Sequence, residues 1–473
     1  MGRKQAFAFA LLLAMGLPTV GSPGDPGDGA EAALALSRAI AIALQEHPAI
    51  AAARAGAEAA EEGVARERAG FLPRLDAQGS FRRTTHPPEV FASKLNQERF
   101  AAADFDVDRL NRPDAICDFG ASLSASWTLY DGGRTWHAWK EAALGRRAAE
   151  SALERTRQAV IAEVTAAYAG WLLAREQVAV VEAALAAARA HMRLAESRHA
   201  AGLTVKSDLL RARVRAADLE QQRLDAESRR ETARAALAAA MGLRRGMPGP
   251  PADTLPELAE ERLRRRAEPV DEWLARARTH RADLAEMALQ EEMARERVER
   301  ARAGHLPRLE LAGDLQAHSE DLAGSGEHYA FGALVHLPLF AGYAVSASVS
   351  EAYARLRQAQ AERRRVEDRA LLEIRRAHAA AESAARRVEV AADAVSEAEE
   401  ALRITAERYA AGLVTMADLL SAEAALQDAR RLHLQARHDL VLGRVELERA
   451  AGVLASGENE GLRGKNPPGG EVR

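Results

Sequence analysis

The chain states its architecture twice, and no other property limits its fold as strongly. Ala69-Gly70-Phe71-Leu72-Pro73-Arg74-Leu75 returns as Ala303-Gly304-His305-Leu306-Pro307-Arg308-Leu309. Ala200-Ala201-Gly202-Leu203, followed by Ser207-Asp208-Leu209-Leu210, returns as Ala410-Ala411-Gly412-Leu413 followed by Ala417-Asp418-Leu419-Leu420. Trp127-Thr128-Leu129-Tyr130-Asp131-Gly132 answers Leu337-Pro338-Leu339-Phe340-Ala341-Gly342. Repeats of about 20 to 50 residues build solenoids, but two copies of roughly 200 residues describe one duplicated unit. Each copy runs helix, strand, strand, very long helix, reversal, helix.

The long helix is the plainest element. From Arg134 to Ala200 no proline interrupts the helical pattern, and about 67 residues at 1.5 Å each would extend about 100 Å. Val178, Val181, Leu185, Ala188, Met192 and Ala195 step by three and four, and Val388, Ala391, Val395, Ala398, Leu402 and Thr405 repeat the steps. Such a heptad-like seam with small members lets helices approach closely. Ser37 to Ala69 and Ser207 to Met241 read as shorter helices. Together they are about as long as the long one, which suits end-to-end stacking beside it. The second copy offers 344–410 against 271–303 plus 416–451.

Where the helical period stops, a period of two begins. Leu75, Ala77, Gly79 and Phe81 alternate with Asp76, Gln78, Ser80 and Arg82, and Phe119 to Leu129 alternates with Ser122, Ser124, Ser126 and Thr128. Leu309, Leu311, Gly313 and Leu315 followed by Tyr329 to Leu339 repeat the hairpin. One face of each hairpin is apolar and the other polar. Leu123 and Val335 fall on the apolar, lipid-type face, Ser124 and His336 on the other. The first hairpin is longer by about two dozen residues, all in a polar, proline-containing loop around Thr84 to Asp118. Unequal loops are usual in outer-membrane barrels. Of 21 aromatic residues, 14 lie within 71–139 and 329–343, the placing expected of an interfacial girdle.

Composition narrows the class further. The chain is 48% hydrophobic but only 4% aromatic. With Ala, Arg, Glu and Leu throughout, that is a mixture for long helices with thin seams. A net charge of −4, with Arg interleaved with Glu, offers no field for nucleic acid. Arg3 and Lys4 before the apolar run Ala6 to Leu17 read as an export signal over 1–22, with cleavage near Gly21 or Ser22. No later stretch has the roughly 18 consecutive apolar residues of a membrane helix. Membrane contact must then come through strands or a surface. The first copy is expected over 30–246 (hairpin about 71–130), a linker or equatorial segment over 247–269, the second copy over 270–455 (hairpin about 306–340), and a disordered tail over 456–473.

Cys117 stands alone, so neither a disulfide nor a cysteine-based zinc site is expected, and none follows the signal to carry a lipid. The 13 His residues show no ligand spacing. His318, His328 and His336 are explained by one hairpin's polar face. No nucleophile elbow, phosphate loop or metalloprotease helix is present in the sequence. No enzyme activity, cofactor or metal is expected.

Taken in order and doubled at matched spacing, these motifs resemble the TolC family of outer-membrane efflux channels from about Leu34 to Gly452. The resemblance implies a mainly α fold with a β-barrel portion: a homotrimer whose 12-stranded barrel in outer-membrane lipid continues as a 12-helix periplasmic tunnel. It also implies a periplasmic adaptor and an inner-membrane pump of the RND, ABC or MFS kind. Physics independently requires assembly, because four strands cannot close a barrel and open edges in lipid cost several kcal/mol per unsatisfied group. Two, three or four subunits would satisfy that; the resemblance selects three.

The reversals carry the candidate site. Gly202, Leu203, Gly412 and Leu413 sit at the tips, with Asp208 and Asp418 just beyond. A C-cap glycine, a packed leucine and a capping aspartate explain them structurally. The resemblance makes the tips adaptor contacts, and makes Asp208, Asp418 and Tyr409 gate and selectivity residues. Val414 occupies the place of a locking arginine and Ser421 that of a second aspartate, so closure is expected to rest on packing. A pore-less periplasmic coiled-coil adaptor or scaffold is the alternative. It leaves two amphipathic hairpins with aromatic borders unexplained.

Overall fold

The protein is described by a computed structural model over residues 33–202, 204–244, 249–264, 268–321 and 326–454. The expected signal, the tail and Leu203 lie outside these described residues. α1 (Leu36–Glu46) and α2 (Pro48–Arg68) lead into β1 (Arg74–Thr84), and α3 (Pro87–Asn96) and α4 (Val107–Asn111) separate it from β2 (Ile116–Tyr130). α5 (Arg134–Ala200) and α6 (Lys206–Ala240) complete the first copy, and α7 (Leu255–Arg264) lies in the connection. The second copy repeats the plan as α8 (Val270–His280), α9 (Ala282–Arg302), β3 (Arg308–Ser319), β4 (Gly326–His336), α10 (Ala344–Ala410) and α11 (Met416–Ala450).

Both long helices have the expected limits. The seam of α5 buries Val178, Leu185, Ala188 and Ala195, with Leu185 and Ala188 against Ala216 and Leu219 of α6. Near the sheet the helices lie side by side as α2, α5, α9, α10; towards the reversals the order is α6, α5, α11, α10. The short helices stack end to end, as their lengths suggest. Past α6, Gly242 takes φ +75, and a Cβ there would lie 2.8 Å from the Cα of His47. Past α11, Gly452 at φ +74 would meet His280 at 2.7 Å. Only glycine admits both that backbone and that approach.

Those junctions correct the expectation of single helices over Ser37–Ala69 and 271–303. Each is two. Pro48 cannot continue α1 and instead starts α2, while His47 Nδ1 accepts the Ala49 amide at 3.1 Å. The equivalent break at Arg281 has no proline. Its buried guanidinium donates to the Ala450 carbonyl at 2.9 Å, to both Asp283 oxygens, and to Glu373 of α10 at 3.0 Å. Two further differences are local. β4 ends at His336, short of Leu339, because Pro338 cannot donate to a ladder. α7 occupies part of the expected linker, burying Leu255 and Ala259 while Arg262 pairs with Glu448.

At mid-height the main core gathers α1, α5, α6, α7, α10 and α11 around Tyr168, Leu172, Leu237 and Leu440. The Tyr168 hydroxyl lies 2.7 Å from both the Leu34 carbonyl and the Asp253 carboxylate, and burial followed by that carboxylate pushes its pKa well up. Arg281→Ala should strand Asp283 and Glu373 and cost about 3 kcal/mol, moderated by the water each carboxylate retains. A thermal-unfolding change below about 1 kcal/mol would contradict the role given to Arg281. Burial raises both carboxyls, but hydrogen bonds from Arg281 outweigh it and hold them below their usual range. Their contribution is therefore present above the unfolded value of about 4 and is lost as acid carries the pH through the lower folded values.

Candidate functional site

The four strands form one antiparallel sheet in the order β1-β2-β3-β4. Its register sorts the side chains into two faces. Ala77 pairs with Leu123, Leu123 with Leu315, and Leu315 with Tyr329; two residues along, Leu75, Ala125, Gly313 and Phe331 make the next row. The intervening rows are Asp76, Ser124, Asp314 and Ala330, then Gln78, Ser122, Gln316 and His328. Leu123 and Val335 thus share the apolar face, and Ser124 and His336 the polar one. The apolar face is bare in the single chain: Tyr329 is 84% exposed and Phe331 77%.

Aromatic pairs border that face. Phe81 and Phe119 stack at 4.7 Å at the end remote from the helices. Trp136 meets Trp139 at 5.1 Å and Phe340 meets Tyr343 at 5.6 Å at the helical end, where Trp127 Nε1 donates to the Phe71 carbonyl at 2.9 Å. Such rings suit the headgroup levels of a bilayer. Among the described residues no helix is long and apolar enough to cross a membrane. β1 and β4 are edges with open backbone groups, so the sheet is a segment of something larger.

The opposite end carries the tips. Gly202 at φ +74 and Gly412 at φ +77 are left-handed C-caps, and the Leu413 amide donates back to the Arg408 carbonyl at 2.9 Å. Among the described residues, a Cβ at either glycine would meet nothing within 4 Å beyond its chain neighbours. Leu413 is 69% exposed at its tip, a large apolar side chain with no cover. Asp418 closes a capping box with Thr415. Its carboxylate accepts the Thr415 amide at 2.8 Å and the Thr415 hydroxyl at 2.7 Å. In return Thr415 Oγ1 accepts the Asp418 amide. The Thr415 hydroxyl, then its amide, hold this exposed carboxyl below its usual range. Asp208 accepts from the Thr204 hydroxyl at 3.1 Å.

Tyr409 does not face an aperture within the chain. It is 7% exposed, packed among Ala195, Leu209, Met416 and Leu419, with Val414 partly buried on the same cluster. The Arg198 guanidinium lies over its ring at 5.0 Å and reaches the Ala410 carbonyl. Higher up, His191 Nε2 lies 2.7 Å from Glu423, and Arg215 donates to Gln427 at 2.6 Å. These links escape sequence reading because each joins one copy to the other, between residues roughly 200 positions apart. The heptad steps place the α5 residues beside a seam without saying which helix lies across it.

An amphipathic sheet with open edges, carried on helices about 100 Å long, defines one subunit of a barrel-and-tunnel channel. The chain belongs to the outer membrane efflux protein family, whose sequence model matches residues 39–243 and 273–453. It is an outer-membrane exit channel, and the pore-less scaffold is thereby set aside. The Proteases secretion protein PrtF of Dickeya chrysanthemi is 28% identical over 440 residues, 90% of each chain. Alkaline protease secretion protein AprF of Pseudomonas aeruginosa is 26% identical over 437 residues, 90% of this chain and 86% of that one. Among solved structures, the Campylobacter jejuni CmeC outer membrane channel superposes with a TM-score of 0.72 at 18% identity, over 91% of this chain and 89% of that one.

Proposed function

We propose that three copies of this chain close a 12-stranded barrel in the outer membrane, with the apolar face to lipid and the polar face to the lumen. The open sheet edges carry this reading, since a lone four-stranded sheet would leave two rows of backbone groups unpaired in lipid. The helices continue the barrel as a tunnel, and its tips dock a periplasmic adaptor through Gly202, Leu203, Gly412 and Leu413. An inner-membrane pump supplies the cargo. Two relatives are named for protease secretion, which supports polypeptide export over drug efflux. Removing the protein should abolish one or more secreted proteins from the medium while leaving drug tolerance unchanged; the reverse pattern rejects secretion.

Asp208 and Asp418 ring the resting constriction at the tips in this reading, and packing around Tyr409 and Val414 holds it closed. Carboxylates repeated around a narrow aperture favour cations. Asp208→Asn with Asp418→Asn removes the charge while keeping a side-chain acceptor for Thr204 and Thr415. In planar bilayers this double variant should lose most cation selectivity with trimer content unchanged. Because its partners hold the Asp418 carboxyl low, the selectivity that Asp418 contributes, read in an Asp208→Asn background, should persist down to a pH below the ordinary aspartate value of about 3.9. Selectivity that is unaltered in the double variant places the rings elsewhere.

A further inference from the structure

Thr84 and Ile116 are partners across the first hairpin, so a few residues would suffice to join β1 to β2. The chain instead places a folded unit there. Phe91 and Phe100 meet edge to face at 4.7 Å, Phe100 and Phe105 at 5.2 Å, and Lys94 pairs with Asp104 at 2.7 Å. Val90 and Ser93 of α3 are buried.

This unit is fastened to the polar face of the sheet. Gln97 Nε2 donates to Asp118 Oδ1 and to the Cys117 carbonyl, each at 2.9 Å. The other Asp118 oxygen lies 3.1 Å from His318 Nδ1 on β3. His328 Nε2 on β4 donates to the Asn96 carbonyl at 2.8 Å, and Arg82 on β1 lies 3.6 Å from Glu89. All four strands are therefore engaged from one side. At Gly326 the approach is so close that a Cβ would fall 2.0 Å from the Asn96 oxygen. Ile116, on that same face of β2, is 5% exposed. Gln97 and Asp118 are buried and His318 is half-buried, so the network is a rigid attachment, since leaving a member unsatisfied is costly.

The polar face of a closed barrel is its lumen. We infer that residues 85–115 form a cap inside the outer mouth of the pore, latched by Gln97, Asp118, His318 and His328, and that this cap limits the size of what passes. The inference rests on the lumen assignment of the polar face. It adds a second, outward constriction to the one proposed at the helix tips.

Ser124 lies on the lumen face, below the cap. In a Cys117→Ser background, Ser124→Cys can be labelled from outside intact cells with a small maleimide or with one carrying a polyethylene glycol chain. The small reagent should react while the bulky one is retarded. Replacing 86–114 by a short Gly-Ser turn should speed the bulky reaction by about tenfold or more, the change in open population expected when a charge-assisted attachment is lost. Gln97→Ala with His318→Ala, which keeps the whole segment, should shift the rate in the same direction. Equal bulky-reagent rates with and without the cap overturn the inference. Failure of the small reagent in the cap-less chain instead rejects the lumen assignment, and the cap with it.

Discussion

Arginine at Leu123 or Phe331 is expected to deplete the assembled channel from the outer membrane, whereas arginine at Ser124 leaves it in place. Leu123 is the middle residue of β2 and Phe331 the middle residue of β4, both on the apolar face. A guanidinium at the bilayer midplane of a barrel costs about 2–4 kcal/mol, and a symmetric oligomer carries that cost once per subunit. Val335 shares the face but sits one residue from the inner end of β4. Its arginine variant should lose only about 0–1 kcal/mol, because the side chain reaches the interface. Quantifying heat-resistant oligomer in outer-membrane fractions ranks the four variants. Equal losses at Leu123 and Ser124 would refute the assigned faces, and equal losses at Phe331 and Val335 would refute the depth.

Isoleucine at both Gly202 and Gly412 is expected to abolish export without reducing the amount of channel. Each glycine holds a left-handed backbone, where a side chain costs about 1–2 kcal/mol. Among the described residues, neither has an atom beyond its chain neighbours within 4 Å of a Cβ placed there, so folding should survive. Alanine shares the left-handed backbone with little bulk and without the added strain of a β-branched side chain there, so the amount of folded channel is measured for both pairs. The alanine pair should therefore retain most export and the isoleucine pair almost none, if a partner protein packs on these tips. Leu413→Asp should weaken export too, by placing a charge where a mostly exposed leucine would otherwise be covered. Normal secretion by the isoleucine pair sinks the docking proposal.

Much of this architecture is local information. The long helices are legible because α5 and α10 each run 67 residues without a proline and stop at a glycine tip. The sheet faces are legible because apolar and polar residues alternate through most of β1, β2 and β3, and the register keeps like with like; β4 breaks the pattern by setting Ala330, Gly332 and Leu334 on the polar side. The break after α1 is written in Pro48, although the helical period around it hides the signal. Nothing comparable marks Arg281. That break exists where the Ala450 carbonyl and Glu373 meet its guanidinium, groups supplied by α11 and α10.

The cap shows the same limit. Thr84 to Asp118 reads as a polar loop because its apolar residues follow no single period. They form a core only once Phe91, Phe100 and Phe105 are brought together, and Gln97 finds Asp118 only when the hairpin is closed. Tyr409 likewise has a motif position that suggests an aperture, yet it lies buried under Arg198 of the other copy. By itself the sequence determined the duplication, the helix lengths, the two faces of the sheet and the turn chemistry of the tips, because each depends on residues a few places apart. Which polar groups meet, which helices break without a proline, and which side of the sheet the long loop covers were decided by the tertiary structure. Those outcomes depend on contacts between segments far apart in the chain, and no local period encodes them.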